Sequence, residues 1–497
     1  MSLPAAIGLD IGTSGARALV VDVRGRVKGS AAAPYRLRAA TPGAAEQEPA
    51  DWWEAARETL GEAWREAGEP PLEGVGLCGQ MHGTVLVDAN LRPLRPALLW
   101  CDDRAAATAT AVERRFGRER LIETSGNPAL PGFTAPQLRM LAERGDPALE
   151  RARWAFCAKD FVRAQLTEEA AGEHSDASGT GLYSVREGGW DERLAAAYGV
   201  RRELLPPLLE SGEAAGSIGA GAADATGLAA GTPVAAGAAD NAAAALGAGV
   251  VAPGELMVSI GSSGTLLAPL REPVADPSGA CHLFRHALPE TWYALAVVLD
   301  AGAALTWWQR LTGVPLEQLA SEAAAAEAGS GGVVALPHLS GRRMPKPVPA
   351  GSAALTGLSL AHGRGEVTRA LVEGVGYALA DGLACLGRIG IEPERAVLAG
   401  GGTAHLLWRQ ALALALPSLA FERARVADCA ALGAALLGFA AAGRPLEEVL
   451  AEVVASREEV PVETDPAARR TVAAGYARYA ALSGDPLLYG RHREEQK

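Results

Sequence analysis

The sequence predicts an α/β protein built as two similar halves that face a shared cleft, and three observations carry that expectation. The chain opens on a strand–turn–strand unit, Ile7 to Asp22, in which apolar runs flank Gly12-Thr13-Ser14-Gly15. The unit returns near the middle of the chain, Met257 to Leu267, with Gly261-Ser262-Ser263-Gly264 as its turn. A self-similar unit repeated at roughly half the chain length is evidence of duplicated architecture. Finally, 497 residues exceed what one hydrophobic core supports, so two domains are expected, at 1–247 and 248–497.

Two halves that each bring a Gly-rich, hydroxyl-bearing hairpin to one cleft describe the duplicated actin-like ATPase fold, a pair of ribonuclease H-like domains. That fold serves sugar kinases, chaperones and filament proteins, so it leaves function open. Composition narrows the field. Hydrophobic residues make up 49% and charged residues 21%, an ordinary globular balance. The net charge of −12, with no Lys/Arg cluster, argues against nucleic acid or anionic membrane as partners. The cysteines at 78, 101, 157, 281, 385 and 429 are scattered without a C-x-x-C pair and read as reduced thiols of a cytoplasmic protein. The N-terminus has no basic segment before its apolar run, so a signal peptide is not expected.

Along the chain, Val27 to Tyr35 supplies a third strand and Arg36 to Pro49 a loop. Asp51 is placed as N-cap of a helix from Trp52 to about Ala67, with Trp53, Ala56, Leu60 and Trp64 on one face. Val75 to Cys78 is a buried strand ending in Gly79-Gln80-Met81-His82-Gly83, at the sheet edge where α/β folds bind ligands. Leu98-Leu99-Trp100 reads as a strand opening onto Cys101-Asp102-Asp103-Arg104. Ala105 to Arg153 is mostly helical, with a loop from Gly126 to Pro136. Gly212 to Pro233 is read as loops and a strand that close the first domain. In the second half the clearest helices are Glu366 to Ile389 and Thr403 to Ala415, the latter N-capped by Thr403; Pro345 to Pro349 is an irregular loop. Ala430 to Gly443 is too short to span a bilayer and reads as a close-packed buried helix.

Four constellations carry chemistry. In each hairpin, backbone N–H groups and small hydroxyls can converge on an anion, although an ordinary polar turn looks the same. Asp10, at the end of the first strand, can hold a Mg²⁺ through water. Asp240 is a lone acid in an uncharged stretch from Thr226 to Pro253. It reads as a general base with Asn241 as a donor beside it, or as a helix cap, and the roles can coexist. Gln80-Met81-His82, flanked by glycines, suits a polyhydroxylated ligand; a structural histidine is the alternative. Asp102 with Arg104 is more often a surface ion pair, and Trp100 more often core than a platform under a sugar. Gly400-Gly401-Gly402, between a strand and a helix, permits close approach of backbone to a flat ring such as adenine.

Taken in order, IGLDIGTSG, GLCGQMHG, LLWCDDR, GFTAP, AKD with SDASGT, GAADNAAAALG, SIGSSG, EGVGYALADG and LAGGG resemble the FGGY carbohydrate kinases from about Ile7 to about Gly443. Within that family the chain is most similar to the xylulokinase branch, for which the Gln-Met-His-Gly turn is the telling element. The resemblance implies ATP and Mg²⁺ as cofactors and phosphorylation of a ketopentose, D-xylulose first. It makes Asp240 the catalytic base and Asp10 the metal-associated acid. Gln80, Met81 and His82 are implied on the sugar, with Trp100, Asp102 and Asn241 nearby. Gly12, Thr13, Ser14, Arg17, Gly261, Ser262 and Ser263 are implied on the phosphates. Gly302, Gly400, Gly401, Gly402 and His405 are placed with the rest of ATP. Kinases of this kind are often homodimers, and no patch in the sequence speaks to that.

The chain departs from the family pattern at Gln137 and Met140 (usually Lys and Trp), at Arg342 and Met344 in a loop usually reading Ser-Gly-Glu-Arg-Thr-Pro, at Thr403-Ala404-His405, at Ser262 and at Asp300. These motivate two alternatives: a kinase for another pentulose or polyol, and a catalytically silent sugar-binding regulator.

Overall fold

The computed structural model describes residues 3–39, 41–462 and 464–484; residues 485–497 of the expected second domain lie outside the described residues. The first domain is laid down by β1 (Ala5–Ile11), β2 (Gly15–Asp22), β3 (Val27–Pro34), helix α1 (Pro49–Glu66) and β4 (Leu72–Gly79). It continues through helices α2 (Ala158–Thr167) and α3 (His174–Ser178), strands β5 (Ala214–Ser217), β6 (Pro233–Ala235) and β7 (Ala238–Ala239), and helix α4 (Asp240–Gly247). The sheet order is β5-β6-β4-β1-β2-β3, with β7 alongside the end of β4. β1, β2 and β3 are successively antiparallel, whereas β4 runs parallel to β1 and β6 parallel to β4.

The second domain repeats this plan. It comprises β8 (Glu255–Ile260), β9 (Gly264–Leu270), β10 (His282–Arg285), β11 (Trp292–Val298), α5 (Gly302–Thr312) and α6 (Arg364–Arg388), then β12 (Arg395–Ala399), α7 (Leu406–Ala415), β13 (Ala420–Arg423), α8 (Cys429–Ala441) and β14 (Glu458–Glu459). Its order is β10-β11-β9-β8-β12-β13-β14, again an antiparallel hairpin followed outward by parallel strands. Asp10 pairs with Arg17 in the first hairpin as Ser259 pairs with Thr265 in the second. This is the duplicated actin-like ATPase arrangement that the repeated hairpins predict.

Each domain has its own apolar core, and a third cluster joins them. It runs from α4 and α8 to Met257, Leu267, Leu295 and Val397 of the second sheet. α8 lies directly on the first sheet: a Cβ on Gly76 would stand 1.8 Å from the Ala434 carbonyl oxygen. The Ala/Gly-rich sequence of α8 is what such proximity demands, and the expected buried helix is found. Among the described residues one helix, α6, is long and apolar enough to cross a bilayer, and most of it is buried inside the second domain.

Several local expectations change. α1 starts at Pro49, with Glu48 rather than Asp51 at the cap position, because a proline's fixed φ and missing N–H suit the first turn. Its inward face is centred on Trp52, whose Nε1 donates to Gln47. Of the strand predicted at Leu98-Leu99-Trp100 only Leu98 pairs, in a short strand Ala97–Leu98. The helix after the 126–136 loop begins at Thr134, since Pro136 falls in a first turn where no N–H is needed. The stretch from Gly212 to Pro233 holds a helix, Ala220–Thr226, packed against α1 and α2. α6 begins at Arg364, with Glu366 accepting the Gly363 N–H. Thr403 is not a cap: it sits in a short turn, Gly401–Ala404, and its hydroxyl donates to Gly400, while His405 Nδ1 caps α7 by accepting from Leu407 N at 3.2 Å.

Candidate active site

The first hairpin is held at its tip by four side chains from elsewhere. Tyr35 donates its hydroxyl proton to the Gly12 carbonyl and Gln47 Nε2 donates to the Thr13 carbonyl at 2.8 Å. Thr13 Oγ1 donates to Gln80 at 3.3 Å and accepts from Trp100 Nε1 at 3.1 Å. Gln80 is buried, and its amide is engaged by Gln47 and the hairpin. Gln80 and Trp100 therefore brace the Gly-rich turn, which ties its position to the neighbouring Met81 and His82. The second hairpin is braced by α5: Ala301 N and Gly302 N donate to Ser262 O and Gly261 O, both at 2.9 Å. Gly302 is needed there because a Cβ would lie 2.5 Å from the Gly261 oxygen. At the third glycine run, Gly401 has open space where a Cβ would be, and His405 is exposed.

Asp240 opens α4 and accepts from Asn241 N at 2.6 Å and Asn241 Nδ2 at 2.8 Å. Burial raises its carboxyl to about 6, against those hydrogen bonds. Asp10 faces it from the end of β1. Burial, then the charges of Asp428 and Asp240, raise Asp10 to about 8. Asp10 thus lies in the field of two further carboxylates, and a divalent cation held through water would offset the repulsion among these acids. Asp428 is the residue that sequence reading missed. It caps α8 through Ala431 N and pairs with Arg17 at 2.9 Å. An acid directly before an apolar helical run is a cap signal that could have drawn attention to it.

The turn after β4 sits between the domains. His82 has a left-handed backbone, φ 73°, and stacks on Phe133 with ring centroids 4.3 Å apart. Its Nδ1 contacts the Gly179 carbonyl at 2.7 Å; a carbonyl only accepts, so Nδ1 carries the proton and Nε2 keeps its lone pair. Burial lowers this imidazole to about 3. Met81 Sδ accepts weakly from Asn241 Nδ2 at 3.8 Å and from Tyr293 at 3.7 Å, linking the turn to α4 and to the second domain. Arg343, from the loop after Leu336, exerts its charge on His82, Cys101 and Asp103 and so also reaches this end of the cleft.

Asp102 is not a surface acid. It is fully buried, accepts from Ala45 N at 2.9 Å, and is paired with Arg104. The departures from the family pattern are mostly structural. Gln137 is buried and engages Thr84, Leu99 and Gly132; Met140 is core. Asp300 accepts from Ser340 N at 2.7 Å and Oγ at 2.8 Å, which pins the loop carrying Arg342, Arg343 and the buried Met344.

Comparison with known proteins identifies the family to which this fold belongs. Residues 5–247 match the N-terminal domain, and 256–442 the C-terminal domain, of the FGGY family of carbohydrate kinases. The chain is similar to the xylulose kinase of Escherichia coli K12, 36% identical over 82% of this chain and 84% of that one. Among solved structures it is similar to a xyloylose kinase from Brucella ovis (TM-score 0.87, 35% identity, 98% and 99% of the chains covered). It is also similar to the xylulose kinase from Rhodospirillum rubrum (TM-score 0.84, 29% identity, 96% and 98% covered). The chain belongs to the FGGY family of carbohydrate kinases and is an ATP-dependent sugar kinase.

Proposed function

We propose that the enzyme phosphorylates D-xylulose at its terminal hydroxyl, giving D-xylulose 5-phosphate, with Asp240 as the general base. The observation that carries this reading is the placement of Asp240: a carboxyl raised to about 6, opposite Asp10 and linked through Asn241 to the Met81–His82 turn. Phosphoryl transfer depends on alignment and charge neutralisation more than on covalent chemistry. Asp240 orients the attacking hydroxyl and accepts its proton as the new bond forms. His82 Nε2 and Asn241 orient the sugar. The hairpin amides at Thr13, Ser14, Ser262 and Ser263 hold phosphate oxygens, while the Gly12 and Gly261 N–H groups close the turns on Gly15 and Ser263, and the Gly400 to Gly402 backbone walls the adenosine. Asp10 and Asp428 are the residues that would hold Mg²⁺, whose chemistry when bound is to offset charge on the transferred phosphoryl group. Division of the chain after Gly247 belongs to the same reading: closure of one half on the other excludes water from the reaction.

The test is ADP release from MgATP with and without D-xylulose, beside other ketoses and polyols. Stimulation by D-xylulose that disappears in Asp240→Ala supports the reading. Stimulation by another sugar alone moves the substrate, and sugar binding with no turnover makes the chain a silent sugar-binding protein.

A further inference from the structure

Behind Asp240 lies a group of charges that phosphoryl transfer does not use. α2 supplies Lys159, Asp160 and Arg163, and the start of α3 supplies Glu173 and Asp176; each is 3% exposed or less. Lys159 Nζ stands 2.7 Å from Asp160, 3.0 Å from Asp176 and 3.3 Å from Glu173. Cys157, Asp160 and Asp176 are close enough together to ligate a metal, but the Lys159 ammonium already lies against both acids as their cation. Replacing such a buried set by apolar residues is often neutral for stability, so stability alone does not account for it.

The network grips one short segment, 236–239, which delivers Asp240. Arg163 donates to the Ala236 carbonyl at 2.9 Å and Gly237 N donates to Ser211 O at 3.0 Å. The tightest link is at the last residue. Glu173 accepts the Ser175 hydroxyl at 2.9 Å, along with Ser175 N at 2.6 Å, Asp176 N at 2.7 Å and Ser211 Oγ at 3.1 Å. With its proton directed at Glu173, Ser175 Oγ turns its lone pairs outward, and one accepts the Ala239 N–H at 2.9 Å. α3 ends at Gly179, whose carbonyl fixes His82 at 2.7 Å. One short helix thus connects the residue before the base to the sugar turn.

We propose that Ser175, oriented by Glu173, is a positioning residue for Asp240: its hydroxyl holds the Ala239 amide and so sets where α4 begins and where the carboxylate points. The proposal rests on Asp240 being the base. Removing the hydroxyl leaves a buried N–H without a partner and frees the start of α4, while the sugar-binding groups at Met81 and His82 are untouched.

The experiment measures kcat and sugar KM, with MgATP saturating, for the wild type, Ser175→Ala, Ser175→Thr and Asp240→Asn, with thermal melts to establish the folded fraction. Ser175→Ala is expected to lower kcat about 10-fold to 100-fold, the range that small misplacements of a reacting group produce. Sugar KM should stay within about twofold, and Ser175→Thr should recover most of kcat. Where the alanine variant does not fold, Ser175→Cys, with a poorer acceptor in the same volume, should show the same loss. Wild-type kcat in folded Ser175→Ala or Ser175→Cys overturns the proposal, as does a loss that only tracks the folded fraction. An active Asp240→Asn instead overturns the base assignment, which separates the two failures.

Discussion

Where α4 crosses α8, Gly247 and Gly433 are counterparts: a Cβ on Gly247 would stand 1.9 Å from the Cys429 carbonyl oxygen, and one on Gly433 1.9 Å from that of Ala243. Backbone meets backbone with no side chain between. α4 starts at Asp240 and α8 is capped by Asp428, so this crossing governs the spacing of the two acids that face Asp10.

Gly433→Ala is therefore expected to push the helices apart. The overpacking should cost about 1–3 kcal/mol, read as a lower urea midpoint. The displaced Asp240 should also lower kcat in the protein that remains folded. An unchanged midpoint and an unchanged kcat would mean that the crossing yields without consequence.

The carboxyl of Asp240, raised to about 6, must be ionised to accept a proton. The rate with sugar and saturating MgATP should fall below about pH 6 with a slope of one proton. A flat profile from pH 8 down to pH 5 would contradict this. The sign for stability is opposite. Because the folded value lies above that of an unfolded aspartate, this carboxyl supports the fold fully below about pH 4, and that support is lost as pH rises through 6. Asp240→Asn should accordingly melt higher, relative to wild type, at pH 8 than at pH 4.5.

Asp10 follows the same logic with a higher value, about 8. Free of divalent ion, the protein should lose stability between about pH 4 and pH 8 as this carboxyl ionises beside Asp428 and Asp240. Added Mg²⁺ should raise the melting temperature at pH 8 and do little at pH 5, where Asp10 holds a proton. Asp10→Asn should remove most of that response. An equal Mg²⁺ effect at both pH values would disconnect the cation from this cluster.

His82 is neutral at all working pH values because burial lowers it to about 3. Its Nδ1 proton is committed to Gly179 and its Nε2 can only accept. His82→Asn keeps a donor near Nδ1 and removes the acceptor, so sugar KM should rise about 5-fold to 10-fold, the worth of one neutral hydrogen bond. ATP KM should stay as it was. A rise in ATP KM instead would place His82 on the nucleotide side.

Much of the site was legible because its signals are local. Glycines with hydroxyls between two apolar runs mark each hairpin, and a lone acid in an uncharged stretch singles out Asp240, the base of the proposed reaction. Roles that depend on distant partners were not legible. Gln80 reads as ligand-facing, yet it closes on Thr13 and Gln47, up to 67 residues away; the pairing of Asp102 with Arg104 was legible, but its burial against Ala45 was not. Asp428 escaped notice because a helix cap and a cleft carboxylate look the same in one dimension.

By itself the sequence determined the duplication, the two Gly-rich hairpins and the strand ends that carry Asp10 and the Met81–His82 turn, since turn chemistry and apolar periodicity act over a few residues. Tertiary structure alone decided that α8 of the second half packs on the first sheet, that Asp428 joins Asp10, and that Ser175 reaches Ala239. Those relations span from 64 to more than 400 residues. They arise from backbone proximity at glycines and from burial of charge, and neither leaves a periodic mark in the chain.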